Sequence, residues 1–397
     1  MTPSVLITSV LNPNMRVFDI VMRTEYGTSY NSYVVIGTEK IALIDAAHAT
    51  FCGDYLDKIE RALDGRVPDY LVMNHNEPDH SGTVGVLLER YPNITIVISK
   101  AGAIYLKNIV NRDDMRLRTV ADGETLELGD KTLQFISAPF LHWPDTMFTW
   151  LPEEQVVFTC DFLGAHYCEP RHFDSRVTYG DAYGAAMKNY FDCIFAPFKP
   201  YVLKGLEKLE ALDAVYVCPS HGPILTKGHQ LEYARTHYRA WATEKPCDHR
   251  RLPVFYCSAY GNTHLLATHV AQGVRRAQPE AEVTCYDLVE HSLGELAARL
   301  NESDAFLIGS PTINRDALPI VWKLIADIDA IGIAKRPVAL FGSYGWSGEA
   351  VGHLAERLTS IKAKVFEQQL KVAFTPTEAD LKAAEQLGED FGASLGG

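Results

Sequence analysis

The residues from about Arg251 onward alternate short apolar runs with longer stretches whose apolar positions recur at helical spacing. The first run covers residues 254–260, and the helical stretch after it, 263–277, carries basic residues near its end, as helices favour. The pattern then repeats, with apolar runs at 281–288, 304–310, 337–344 and 364–370 and helical stretches at 292–300, 317–328, 349–361 and from about Thr377. This alternation predicts an α/β fold with a doubly wound, five-stranded parallel sheet.

The first 250 residues follow a different pattern, in which pairs of apolar runs flank short turns. Residues 30–48 predict two strands joined by a Gly-Thr-Glu-Lys turn, and residues 122–139 predict a second hairpin with Gly129-Asp130 at its turn. Helical stretches at 55–65 and 83–91 lie between these hairpins. Hairpins mixed with helices predict α+β layers and not a single parallel sheet.

The length of 397 residues exceeds what one ordinary core accommodates, which agrees with the change of pattern near residue 250. The polar stretch 242–253, closed by Pro253, is the predicted linker. We therefore expect two domains, residues 1–249 and 250–397.

The composition is that of a globular protein, with 47% hydrophobic residues and a formal net charge of -13. This charge argues against nucleic-acid binding, which depends on clustered lysine and arginine. No apolar run approaches the roughly 20 residues that span a bilayer, and the N-terminus lacks a basic segment followed by a long apolar one. The eight cysteines contain no Cys-x-x-Cys pair, which fits a reducing compartment. We expect a cytoplasmic protein without a membrane partner.

The stretch 74–80, NHNEPDH, places four possible metal donors directly after the apolar run DYLVM. His75 and Glu77 are two residues apart, so in extended backbone their side chains point the same way. Asp79 and His80 follow Pro78, which forces a bend. The alternative is a solvated turn in which an aspartate caps the next helix.

Three further donors stand where apolar runs give way to turn residues, and they are His142, Asp161 and His221. Each is a weak signal alone, since most single histidines and aspartates are hydrogen-bonded or solvated. Together with the four donors of NHNEPDH they form a set of seven.

This set resembles the metallo-β-lactamase superfamily, whose αββα sandwich binds two metals at strand ends. In the zinc hydrolases of that superfamily a histidine stands where this chain has Glu77, and the segments HNEPDH and LHWPDTM resemble the flavodiiron proteins. An anionic oxygen in place of an imidazole favours iron over zinc. The resemblance implies one iron held by His75, Glu77 and His142, a second held by Asp79, His80 and His221, and Asp161 bridging them. It implies no catalytic residues beyond these ligands and leaves the role of His166 open.

The segment YCSAYGNTH, residues 256–264, joins the first predicted strand and helix of the second half. A phosphate there would meet backbone N–H groups at a helix N-terminus and the hydroxyls of Ser258 and Thr263. An ordinary turn capped by Asn262 or Thr263 is the alternative. Loops 309–319 and 341–350 follow the third and fourth strands and therefore emerge at the same edge. The second loop offers the aromatic ring of Trp346, for which a place in the core is the alternative.

The whole second half resembles flavodoxin, which implies FMN as cofactor. The residues that this resemblance places around FMN are Ser258, Tyr260, Gly261, Asn262, Thr263, Pro311, Thr312, Ile313, Asn314, Tyr344, Gly345, Trp346, Ser347 and Gly348.

Joined together, the two resemblances imply an oxidoreductase that passes electrons through FMN to a non-haem di-iron site and reduces O2 to water, NO to N2O, or both. The chain carries no rubredoxin-type centre, so the family implies an external donor, with rubredoxin expected and reduced coenzyme F420 as the alternative. The family also implies a head-to-tail homodimer or a dimer of dimers. A zinc hydrolase fused to a flavodoxin module, and a redox or gas sensor without catalysis, are the alternative functions.

Overall fold

The computed structural model describes residues 1–19, 22–243 and 247–396. The chain divides into two compact units, residues 1–244 and 245–397. The predicted linker includes residues 244–246, which lie outside the described residues. Each unit buries its own hydrophobic clusters, as separately formed domains do.

The first unit contains a six-stranded mixed sheet. In spatial order its strands are Val5–Ile7, Tyr33–Ile36, Ile41–Ile44, Tyr70–Met73, Thr95–Ser99 and Arg116–Val120. Tyr33–Ile36 runs antiparallel to both of its neighbours, Val5–Ile7 and Ile41–Ile44, and the last three strands are parallel to Ile41–Ile44. The predicted hairpin at 30–48 is confirmed, with Ile36 paired to Ile41 next to its turn.

A second six-stranded sheet follows in the same unit. Its strands in spatial order are Thr125–Glu127, Thr132–Ser137, Met147–Leu151, Val156–Cys160, Tyr216–Pro219 and Leu225–Thr226. Neighbouring strands are antiparallel except Val156–Cys160 and Tyr216–Pro219, which are parallel. The predicted hairpin at 122–139 is confirmed as the first pair of this sheet.

The two sheets pack face to face. Neighbouring side chains of a strand point to opposite sides, so each strand contributes to the core between the sheets and to an outer core under the helices. Val35 and Phe158, one from each sheet, belong to one buried cluster between the sheets. Their chain neighbours Val34 and Val157 belong to the two outer clusters, where helices cover the sheets, as Tyr55 does over Val34. This arrangement is the predicted αββα sandwich.

The helices of the first unit are Cys52–Leu63, Pro78–Ser81, Val84–Arg90, Lys100–Val110, Gly180–Tyr190, Lys199–Glu210 and Gln230–Ala242, with a π-helical segment at Phe191–Phe195. Short 3-10 helices lie at Ala49–Phe51, Pro152–Glu154, Asp174–Arg176 and Ala196–Phe198. Two small antiparallel pairs join Val10–Asn12 with Thr28–Tyr30 and Val17–Phe18 with Met22–Arg23.

The second unit is built on a parallel sheet with the spatial order Cys285–Asp287, Val254–Tyr256, Phe306–Gly309, Pro337–Tyr344 and Lys364–Ala373. The predicted five parallel strands are confirmed. A short antiparallel pair, Thr312–Ile313 with Asp316–Ala317, adds to the sheet beside Tyr344, where the sequence predicts only a loop.

Helices cover both faces of this sheet, and they are Asn262–Ala277, Leu293–Glu302, Pro319–Ala326, Ala350–Ser360 and Glu378–Ser394. Buried residues of the first and last of these helices pack on one face, and residues of the other three on the opposite face. The last helix begins with a capping box formed by Thr377 and Asp380, which satisfies backbone N–H groups of its first turn. Among the helices of the described residues, none has the length and apolarity needed to cross a bilayer.

Candidate metal centre and flavin site

The seven predicted metal donors lie where strands of the first unit end. The loop 74–77 follows the strand Tyr70–Met73, and Asp161 and His221 follow the parallel strands Val156–Cys160 and Tyr216–Pro219 closely. His142 departs from its prediction, because it lies within the longer connection between Ser137 and Met147 and not directly after a strand.

The stretch NHNEPDH is interior and not a solvated turn. His75 and His80 are fully buried, and Glu77 and Asp79 are 8% and 4% exposed. Pro78 begins a short helix, Pro78–Ser81, that carries Asp79 and His80, where the sequence predicts a loop. Pro fits the first helical position because its fixed φ suits the helix and its missing N–H is not needed there.

One donor group consists of His75, Glu77 and His142, with Asp161 beside them. Oε2 of Glu77 lies 3.3 Å from Nε2 of His75 and 3.0 Å from Nε2 of His142. Oδ2 of Asp161 lies 3.5 Å and 3.6 Å from the same two nitrogens. Two imidazoles and a carboxylate on one side of a site are a donor set typical of non-haem iron.

The other donor group consists of Asp79, His80 and His221. Oδ2 of Asp79 lies 3.4 Å from Nε2 of His80 and 3.0 Å from Nε2 of His221. Oδ1 of Asp161 lies 3.1 Å and 3.5 Å from these nitrogens. Asp161 therefore directs one carboxylate oxygen to each group, which is the geometry of a bridging ligand.

Hydrogen bonds on the side away from the donor cluster fix the ring orientation of His75 and of His221. They decide which ring nitrogen of each faces the cluster. Nδ1 of His75 donates to Oδ1 of Asp145 (3.0 Å), and Nδ1 of His221 donates to the carbonyl oxygen of Ser29 (2.7 Å). Each Nε2 is thereby left as a lone pair for an ion, as in metal sites whose ligand histidines donate outward. Oδ2 of Asp145 is itself held by the backbone and side-chain N–H groups of Asn76 (2.9 and 2.8 Å).

The interior of the cluster also contains polar atoms that no group of the described residues satisfies. Both carboxylate oxygens of Asp79 and Oδ2 of Asp161 are buried without a hydrogen-bond partner. Unsatisfied buried polar atoms are rare, since each costs about 1–3 kcal/mol. Carboxylate oxygens and imidazole lone pairs facing one another fit two cations bound between them.

The electrostatics of the cluster in the absence of metal agree with this. Desolvation lowers the pKa of His80, but the charges of Asp79 and Asp161 outweigh it and raise that pKa to about 9. Desolvation would raise the pKa of Asp161, but the positive charge of His80 and the contact with His142, 3.6 Å away, keep that pKa well below its usual range. A proton on His80 thus balances buried carboxylate charge in the absence of metal, and a bound cation would replace that proton.

A buried aspartate outside the donor set holds the loop that carries His75. Oδ1 of Asp45 accepts from the backbone N–H of Asn74 (2.7 Å), and Oδ2 accepts from its side-chain amide (2.9 Å). Burial raises the pKa of Asp45 to about 6, against the effect of these hydrogen bonds. Oδ1 of Asn74 in turn accepts from the hydroxyl of Thr149 in the second sheet (2.6 Å), so both sheets position the loop.

Sequence reasoning missed the residues that support the donors from behind, namely Asp145, Ser29, Thr28, Asp45 and Tyr190. The Tyr190 hydroxyl donates to Oδ1 of Asp161 (3.0 Å) just before the π-helical segment Phe191–Phe195. Of these supporting residues, only Asp145 could have been suspected from the sequence, because it follows Pro144 in the segment that contains His142.

In the second unit, the loop after Val254–Tyr256 leads into the helix Asn262–Ala277, as expected for a phosphate loop. Gly261, with φ of 84°, precedes the helix in a left-handed conformation that suits glycine. Oγ of Ser258 is buried and has no hydrogen-bond partner among the described residues, so its hydroxyl can donate to a phosphate oxygen. Thr263 is buried, and its hydroxyl pairs with Oγ of Ser343 at 2.8 Å.

The other two predicted flavin loops lie beside this one at the same sheet edge. Thr312 pairs with Tyr344, and Thr263 pairs with Ser343 at the end of the strand Pro337–Tyr344. Trp346 and Tyr260 are 94% and 91% exposed, so Trp346 is not a core residue and the alternative interpretation is wrong. Large aromatic faces in contact with solvent are available to a planar ring system.

Comparison with known proteins agrees with both halves. A family model described as ODP family beta lactamase matches residues 28–222, and one described as Flavodoxin matches residues 254–388. The flavo-diiron protein FprA2 of Clostridium acetobutylicum is 47% identical over 387 residues, which cover 97% of this chain and 96% of that protein. The chain belongs to the flavodiiron proteins.

Two further flavodiiron relatives extend the comparison. An anaerobic nitric oxide reductase flavorubredoxin of Vibrio vulnificus is 32% identical over 343 residues, which cover 85% of this chain and 68% of that protein. The solved structure of rubredoxin oxygen:oxidoreductase from Desulfovibrio gigas matches with a TM-score of 0.71 and 28% identity, covering 100% of this chain and 98% of the other. The two-domain architecture of this chain is therefore that of solved flavodiiron proteins.

Proposed function

We propose that this flavodiiron protein reduces O2 to water, NO to N2O, or both, with electrons that pass from an external donor through FMN to a non-haem di-iron site. The observation that carries the proposal is that two groups of metal donors lie on either side of the Asp161 carboxylate. The same chain also contains a flavodoxin domain. When bound, the iron pair and FMN supply redox chemistry that no side chain of the protein can provide.

We assign His75, Glu77 and His142 to one iron, Asp79, His80 and His221 to the other, and Asp161 to both. The inward lone pairs of His75 and His221 and the unsatisfied oxygens of Asp79 support this assignment. The protein holds these donors rigidly through the outward hydrogen bonds, so the site is organised before metal arrives.

We place the di-iron domain at residues 1–249 and the FMN domain at 250–397. In the FMN domain the unpartnered hydroxyl of Ser258 supports a phosphate position at the start of the helix Asn262–Ala277. The exposed rings of Tyr260 and Trp346 support a place for the flavin ring, together with the other residues of the three loops that the flavodoxin resemblance implies.

We propose rubredoxin as the electron donor, with reduced coenzyme F420 as the alternative, because the name of the Desulfovibrio gigas protein pairs rubredoxin with oxygen. We also propose a head-to-tail homodimer, or a dimer of two such dimers, in the cytoplasm. The eight cysteines are all free, which fits a reducing compartment.

The function is tested by purifying the protein without air, measuring its iron and FMN content, and supplying reduced rubredoxin with either O2 or NO. We expect two irons and one FMN per chain and consumption of at least one of the two gases. Consumption rates that differ tenfold or more would identify the physiological substrate. A metal-replete, reduced protein that consumes neither gas would contradict the proposal and favour a sensor, and zinc in place of iron would favour a hydrolase.

Replacing Asp145 by asparagine is expected to weaken iron binding at the position of His75 by about 10-fold to 100-fold, as loss of an outer carboxylate does in other metal sites. The amide can still accept from Nδ1 of His75 but no longer carries the charge that makes the imidazole a stronger ligand. Anaerobic Fe(II) titration against a chelator measures the change. Asp174→Asn alters a buried aspartate whose side chain accepts from the backbone N–H groups of Thr226 and Gln230 and contacts none of the seven donors, so it should leave iron affinity unchanged.

Replacing Ser258 by alanine is expected to raise the Kd for FMN about tenfold, since one hydrogen bond to a charged group contributes about 1.5 kcal/mol. Thr263→Ser keeps the contact with Ser343 and serves as the matched control. Fluorescence titration of the FMN-free protein gives both constants. Unchanged FMN affinity in Ser258→Ala would remove this residue from the phosphate site.

A further inference from the structure

The second donor group is supported by a buried network behind His221. Nδ1 of His221 lies 2.7 Å from the carbonyl oxygen of Ser29 and 3.3 Å from Oγ1 of Thr28. The same Thr28 oxygen lies 2.9 Å from Nδ1 of His166. Thr28 is fully buried and His166 is 3% exposed, so bulk water does not compete for these contacts.

The nearest contacts of this network indicate how its donors and acceptors are arranged. Because Nδ1 of His221 carries its proton toward Ser29, the Thr28 oxygen can only accept from it. The Thr28 hydroxyl is then free to donate to Nδ1 of His166 at 2.9 Å. The other possible acceptor, the carbonyl oxygen of Ser29, is farther from the Thr28 hydroxyl, at 3.2 Å. A chain from imidazole N–H through a hydroxyl to a second imidazole ties the orientation of His221 to the position of His166.

His166 is in turn held in place by aromatic rings. Its ring centroid lies 4.5 Å from that of Phe18, 4.9 Å from that of Tyr190 and 4.7 Å from that of His221. Tyr190 is anchored independently by its hydrogen bond to Asp161. His166 is therefore a fixed end point for the network and not a mobile side chain.

We propose that His166 is a positioning residue that acts through Thr28 to hold His221 in the tautomer and orientation that present Nε2 to the metal position shared with Asp79 and His80. Behind His75 the supporting group is the carboxylate of Asp145. Behind His221 the supporting groups are a backbone carbonyl, a hydroxyl and a second imidazole, all of which are uncharged when His166 is neutral. The positioning role rests on the proposed function, since it requires His221 to be a metal ligand.

The test is anaerobic Fe(II) titration of the full chain against a competing chelator. Thr28→Val removes the hydroxyl and keeps the branched shape, and His166→Leu removes the imidazole acceptor. Both are expected to weaken binding of one of the two irons by about 10-fold to 100-fold, as other outer-partner substitutions do. His166→Asn places an amide oxygen near the former Nδ1 and should restore most of the affinity that His166→Leu loses.

The asparagine and leucine variants separate positioning from packing, because the two side chains are similar in size. Thermal unfolding of the metal-free variants should give similar Tm values for both. Equal iron affinities in His166→Leu and His166→Asn would assign the effect to packing and overturn the proposed role.

His221→Ala provides the reference for loss of a ligand. If it loses one iron while Thr28→Val and His166→Leu bind both as the unmodified protein does, the positioning role is wrong and the metal site stands. If His221→Ala also binds two irons normally, the ligand assignment fails, and the positioning role fails with it.

Discussion

Replacing Asp161 by alanine is expected to empty both metal positions and abolish reduction of O2 and NO. Asp161 is the residue whose two oxygens reach both donor groups, at 3.1–3.6 Å from the facing imidazole nitrogens. Its removal takes a negative charge from a buried cluster that holds four imidazoles, His75, His80, His142 and His221. Breaking a buried ionic contact costs about 3–5 kcal/mol, which corresponds to roughly a hundredfold to several thousandfold weaker iron binding.

The measurement is iron content after anaerobic reconstitution, together with gas consumption under a fixed donor. Asp161→Asn keeps the shape and the contact with Tyr190 but offers one neutral oxygen, so we expect it to retain less than half of the iron. FMN content should stay unchanged in both variants, because the flavin loops belong to the other unit. An alanine variant that still bound two irons would show that the two donor groups are independent sites.

The clustering of the seven predicted donors could be foreseen from the sequence because most of them occupy places that local pattern reveals. Apolar runs define the strands, Pro78 and Pro144 mark the bends, and parallel neighbours such as those before Asp161 and His221 end at the same edge. The flavodoxin half was equally readable, because its strands and helices alternate regularly, apart from the short strand pair at 312–317 that the sequence did not predict.

The outer partners could not be found in the same way, because they are set by tertiary packing. Ser29 meets His221 across 192 residues and contributes only a backbone carbonyl, which any residue type has. Thr28 has no distinguishing feature in its own segment, and His166, 138 residues away, could be noticed in the sequence but not connected to Thr28. The pairing of Thr263 with Ser343 was missed for the same reason, since it depends on how two loops approach.

Replacing Glu77 by histidine is expected to convert the iron site into one that retains zinc. Oε2 of Glu77 is the anionic donor between the imidazoles of His75 and His142, at 3.3 and 3.0 Å. An imidazole there removes a hard, charged oxygen that stabilises Fe(III) and leaves three neutral nitrogens, a set that suits zinc. In the metal-free protein, hydrogen bonds that Glu77 accepts from His142 and His75 overcome the effect of desolvation and lower the pKa of Glu77. Its carboxylate is therefore negatively charged at neutral pH.

The outcome is measured by growing the variant and the unmodified protein in the same medium with iron and zinc at equal concentration. Elemental analysis should give iron in the unmodified protein and a majority of zinc in Glu77→His, with loss of O2 and NO consumption. Glu77→Asp keeps the charge on a side chain one methylene shorter, so it should bind iron more weakly without gaining zinc. If Glu77→His kept two irons and full turnover, metal choice would rest on the other carboxylates, Asp79 and Asp161, and not on this position.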